Sequence, residues 1–109
     1  MPYFLLQVAY TSESVAGLIK NPQNRGEAVR PAVEKLGGRV VDSWVSFGDY
    51  DVVAILEFPA NANAAALAMI FGAGGGVRAV KTTPLLTWDE AMEGMRMAGG
   101  SPYRPAAQS

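Results

Sequence analysis

Tyr50 and Asp51 stand side by side at the exit of a glycine turn, and Asp42, Trp44 and Ser46 alternate along the run before it. A phenol beside a carboxylate can donate or accept a proton, or orient a ligand. The same aspartate can instead accept backbone amides at its own turn, which turn aspartates commonly do. Gln7, Asp42 and Trp44 form a second group, which Tyr3 and Lys81 can join. A few polar groups on an apolar wall are what a small-molecule pocket needs. They also suit a wet contact between protein copies. Which face Lys81 takes depends on a strand register that the sequence leaves open.

Other candidates carry plainer readings. Asp42, Asp51 and Glu57 are the carboxylates on strand-like runs, and a hard cation would need such oxygens clustered. No such spacing is present, so no metal is expected. The glycines between 72 and 76 follow a helical segment and precede a strand, the reverse of a phosphate-binding loop, and no Lys-Ser pair ends them. They read as a helix stop. Arg25 and Arg30 beside a helix break could grip an anion, or be solvated helix charges. Trp88, Met92 and Met95 form a stripe suited to packing or to a contact between copies.

The elements that hold these residues follow from periodicity. Residues 3–10 alternate as a strand, with Phe4, Leu6, Val8 and Tyr10 on one face and Tyr3, Leu5, Gln7 and Ala9 on the other. Thr11 or Ser12 can cap a helix carrying Val15, Leu18 and Ile19. Asn21-Pro22-Gln23-Asn24 breaks it, and a second helix runs to about Leu36, with Pro31 either kinking it or starting its regular part. Strands at 39–47 and 51–58 flank Gly48-Asp49. A two-residue loop there pairs Phe47 with Tyr50, Val45 with Val52, Ser43 with Ala54 and Val41 with Leu56. The opposite face pairs Ser46 with Asp51, Trp44 with Val53 and Asp42 with Ile55. Asn61 or Asn63 can cap an alanine-rich helix to Phe71. Residues 77–86 form a fourth strand, where Pro84 marks an edge or an end. Thr87 and Glu90 make a capping box for a last short helix.

Strand, helix, strand, strand, helix, strand is the ferredoxin-like βαββαβ pattern: an α+β fold with a four-stranded antiparallel sheet and an extra C-terminal helix. Residues 1–98 form the single domain and 99–109 a flexible tail. The helices are expected to cover Phe4, Leu6, Val8, Val45, Val52, Ala54 and Leu56. Tyr3, Leu5, Trp44, Val53 and Ile55 are then left on an open face, which a second copy would cover most economically.

The segment Gly48-Asp49-Tyr50-Asp51-Val52-Val53-Ala54-Ile55 resembles the signature of the GYD family. Tyr10-Thr11, Leu36-Gly37-Gly38, Glu57-Phe58-Pro59 and Gly76-Val77-Arg78 flank it in the same relation, and the likeness spans about residues 3–90. Asp49 falls where the family pattern is loose, and Ala73-Gly74-Gly75 extends a loop. The resemblance implies a dimeric α+β barrel of ferredoxin-like domains. Related barrels include cofactor-free monooxygenases, haem enzymes and small-molecule binders, so fold analogy alone does not choose a function.

Composition excludes several classes. The chain has no cysteine, hence no disulfide or thiolate chemistry, and no histidine, hence no imidazole base and no haem held by a proximal histidine. A net charge of −1 without a basic stripe argues against nucleic acid. No apolar run reaches the ~20 residues of a membrane span, and no leader pattern precedes the first strand, so a cytoplasmic address is expected. Half the residues are hydrophobic, which favours a homo-oligomer, a dimer or larger. Three functions remain open. The first is an oligomeric small-molecule-binding module with a pocket on the sheet face, lined by Tyr3, Gln7, Asp42, Trp44, Asp51 and Lys81. The second is a cofactor-independent monooxygenase or isomerase acting on an aromatic or polyketide-like substrate. The third is a structural assembly protein. No cofactor is expected in any of them.

Overall fold

β1 (Tyr3–Tyr10) runs through the interior of the sheet with β3 (Val52–Glu57), while β2 (Arg39–Val45) and β4 (Val77–Leu85) form its edges, in the order β2-β3-β1-β4. This computed structural model describes residues 1–106; of the expected tail, residues 107–109 lie outside the described residues. All neighbouring strands are antiparallel. The crossover from β1 to β2 carries two helices, α1 (Ser12–Lys20) and α2 (Arg25–Lys35), and α3 (Asn61–Gly74) joins β3 to β4. α4 (Trp88–Gly99) follows β4. The α+β, ferredoxin-like expectation holds, and Pro84 sits on an edge strand, where its missing amide costs no interior ladder bond.

The core lies between the sheet and its helices. Phe4, Leu6, Val8, Ala54, Leu56 and Phe58 are buried on the strand side, and Val33, Ala64 and Leu67 meet them from α2 and α3. Phe4 and Phe58 pack edge to face, with centroids 6.0 Å apart.

Local chemistry sets the helix ends. Thr11 caps α1, its hydroxyl accepting the Ser14 amide at 3.2 Å. Asn24 caps α2 in the same way, and Pro31 lies inside that helix, which starts well before it. The capping box of Thr87 and Glu90 is formed. α3 differs from expectation. Its N-cap is Ala60, with no side-chain bond, and it runs past Phe71 to Gly74. Asn63 is spent elsewhere: its side-chain amide donates to the Leu36 carbonyl at 2.9 Å, tying α3 to the end of α2.

The hairpin register holds from Val45–Val52 through Asp42–Ile55 and then shifts. A bulge at Val41 places Val40, rather than Val41, opposite Leu56, so Val40 is buried and Val41 exposed. The expected Phe47–Tyr50 pair is absent from the ladder, and Phe47 is 98% exposed. Val45 is also a correction. It faces the helix side opposite Val52, yet it is the last residue of an edge strand and is 78% exposed.

No residue of α4 is buried. The radius of gyration is 17.6 Å, against about 13 Å for a compact chain of this length. α4 and the segment after it draw the molecule out to 57 Å. Among the described residues, no helix is long and apolar enough to cross a membrane.

Candidate functional site: a cavity under the crossover helices

The split crossover leaves space beneath it. α1 has no buried residue, and the break at residues 21–24 separates it from α2. Between these helices and the sheet lies a cavity of about 350 Å³. Leu6, Val8, Val52, Ala54, Leu56 and Val40 form its floor, the last turned inward by the bulge. Ser14, Gly17, Leu18 and Asn21 of α1 and the following break form one wall; Gly26 and Val29 of α2 form another. Phe71, Gly75, Gly76 and Val77 close the end.

Two glycines in these walls differ in kind. A side-chain carbon on Gly26 would meet the Ser43 hydroxyl at 2.9 Å, so α2 rests closely on β2 there and a larger residue would displace that side chain. A carbon on Gly17 would meet nothing within 4 Å. Gly17 lines the cavity and leaves open space where a side chain would stand.

The polar groups gather at the mouth. Arg25 donates to the Gln23 side-chain carbonyl at 3.2 Å. The Tyr10 phenol lies beside Arg25 and near Asp51; burial pushes its pKa up, and the Arg25 charge opposes that rise. Tyr10 therefore stays protonated at neutral pH and can donate a hydrogen bond.

None of Tyr3, Gln7, Asp42, Trp44, Asp51 and Lys81 lines this cavity. Three of them are nevertheless brought together. Trp44 pairs with Val53, Val53 with Gln7, and Gln7 with Lys81, one row across all four strands. Cross-strand partners share a face, so Lys81 joins Gln7 and Trp44 on the open side of the sheet. Asp42 lies in the next row, with Ile55, Leu5 and Thr83. Tyr3 lies one row further, beside Glu57 and Arg39. Arg39 donates to the Glu57 carboxylate at 2.9 Å. That bond, with help from Tyr3, holds the Glu57 pKa below its ordinary value, while the same carboxylate raises the Tyr3 phenol.

Asp51 stands apart at the other end of the sheet. Its Oδ2 accepts the Tyr10 amide at 2.7 Å, and its own amide donates to the Val8 carbonyl at 2.8 Å. This is the structural reading of the turn aspartate: it secures the end of β1, where the pairing with β4 shifts register. The profile of the GYD domain family matches residues 4–95.

The chain belongs to the GYD domain family.

The segments that define the GYD likeness meet at two places in space. At one end of the sheet, Asp51 holds Tyr10, the Thr11 amide donates to the Gly76 carbonyl at 3.2 Å, and Arg78 donates to the Asp49 carbonyl at 3.0 Å. Gly76 adopts φ +80°, a conformation that favours glycine. At the other end, Gly38 lies so close to the Glu57 carbonyl and the Phe58 ring that a side-chain carbon would come within 2.5 Å of both. The GYD signature is thus a pair of backbone latches that close the two ends of the fold. One solved structure similar to this GYD domain is described as the crystal structure of FFRP-DM1. It aligns with 79% of this chain and 100% of its own, at 12% identity and a TM-score of 0.49, too distant to carry an argument. A search of curated proteins finds no match.

Sequence reasoning missed the cavity because it placed the helices flush on the sheet. The available signals were Gly17 inside an apolar helical stripe and the break at 21–24, which shortens both crossover helices.

Proposed function

We propose that this GYD domain is a cytoplasmic small-molecule-binding module. An apolar ligand occupies the cavity between the helices and the sheet, and copies associate through the open sheet face. The observation that carries the ligand reading is the hollow itself, about 350 Å³ among apolar side chains where a core would otherwise sit. The cavity opens to solvent at its mouth, and apolar walls left against water favour an apolar occupant. Small-molecule sites begin at about 300 Å³ and combine such walls with a few polar groups.

Binding is favoured over turnover by the chemistry of the lining. Among the described residues that line the cavity there is no carboxylate, and the chain has no imidazole or thiol. The Tyr10 phenol is held protonated. The site can seat and orient a ligand, but it lacks a base to abstract a proton. Self-association is supported by the open face, where Trp44 is 52% exposed amid Tyr3, Val41 and Leu5, and by the bare stripe of Trp88, Met92 and Met95 on α4.

The test is an amide-resolved NMR titration with 1-decanol, a neutral apolar probe. Shifts are expected to cluster at Val8, Gly17, Val29, Val40 and Gly76. No shifts, or shifts confined to the rows of Trp44 and Gln7, would overturn the ligand reading.

A further inference from the structure

We propose that the cavity selects a monocarboxylic acid with an apolar body, its head group held by Arg25. This rests on the ligand-binding reading above and names the ligand class for the same site. Among the described residues lining the cavity, Arg25 alone carries a charge, and it stands at the solvent-exposed mouth. Beyond it the lining is neutral and mostly apolar, with Leu6, Val8, Val29 and Leu56 among it. A ligand that fills the hollow with its body therefore brings its end group to a guanidinium.

That guanidinium is available. Arg30, Arg39 and Arg96 each meet a carboxylate, at 3.1, 2.9 and 3.0 Å. Glu27 is the acid nearest to Arg25 along α2, and both its oxygens are taken by Arg30. Arg25 donates to the neutral Gln23 side chain and lies against the neutral Tyr10 phenol, and a charged acceptor can displace either. A carboxylate matches the planar fork of donors and can accept two parallel bonds. The protonated Tyr10 phenol beside Arg25 offers a further donor to the same oxygens. An alcohol oxygen can accept a single bond there, but it carries no charge and cannot match the fork with two oxygens.

The test compares decanoate with 1-decanol by isothermal titration at pH 8, on the full chain and on Arg25→Gln and Arg25→Lys. Arg25 is exposed, and circular dichroism checks that each variant is folded. Decanoate is expected to bind the native chain about tenfold more tightly than decanol, the scale of one charge-assisted hydrogen bond. In Arg25→Gln that preference should vanish, with decanoate losing about tenfold and decanol losing less; Arg25→Lys should retain part of it. Equal affinities in the native chain, or a preference that survives in Arg25→Gln, would overturn the carboxylate inference while leaving the cavity as a binding site. Failure of both probes to bind would overturn the binding reading and this inference with it.

Discussion

The two faces of the sheet invert the usual relation between cover and packing. The helix face is covered and yet hollow; the open face is bare and yet continuous, with Trp44, Val53, Gln7 and Lys81 in an unbroken row. The difference traces to the connections. α3 is a single helix that buries Ala64 and Leu67 against the sheet. The first crossover is cut in two, and its first half buries nothing. Packing is therefore dense near Phe4 and Phe58 and absent under Gly17. A domain stabilised at one end can leave room for a ligand at the other.

The largest expected effect breaks the dense part. Phe58→Ala removes a fully buried ring from contact with Phe4 and should cost about 3–5 kcal/mol in urea unfolding. Trp44→Ala on the open face should cost under about 0.5 kcal/mol at micromolar protein. Its cost should grow as concentration rises if that face joins two copies. An equal cost for the two substitutions at low concentration would contradict the contrast between the faces.

Next comes the latch at the cavity end of the sheet. Asp51→Ala leaves the Tyr10 amide without its acceptor and should cost about 1–3 kcal/mol. Asp51→Asn keeps an acceptor oxygen and should cost less. A catalytic aspartate would show the opposite pattern, with stability untouched.

The smallest effect concerns acid stability on the open face. Arg39 and Tyr3 hold the Glu57 pKa below its ordinary value of 4.5. A carboxylate depressed in the folded state contributes stability above its unfolded pKa and loses it as pH falls through the folded value. Glu57→Gln should therefore be slightly less stable than the native chain at neutral pH, meet it at low pH, and so flatten the modest decline in stability below about pH 4.5. Unfolding midpoints measured from pH 3 to 7 would show it; an unchanged slope would remove the pair from the account.

Strand faces were legible in the sequence because alternation is strict in β1 and β3, and the Trp44–Val53 register follows directly from it. The bulge at Val41 was not, since Val40 and Val41 are chemically equivalent and only the packed sheet chooses which one turns inward. The site was harder still. Gln7, Trp44 and Lys81 do share a row, yet the hollow lies on the other side. A cavity is an absence of atoms, and its trace in the sequence is a residue that is too small, such as Gly17, which reads no differently from any other helical glycine. Arg25 was visible as a possible anion grip, but its place at the cavity mouth needed the fold.

Gly17→Leu tests the central claim most directly. The backbone there needs no glycine, and the change should raise helix propensity by up to about 1 kcal/mol. The added side chain starts in open space on a wall of the cavity. In a calorimetric titration with 1-decanol, the variant should remain folded and lose at least about tenfold in affinity, a difference near 1.4 kcal/mol. A folded Gly17→Leu that binds decanol as the native chain does would place the ligand elsewhere and contradict the account.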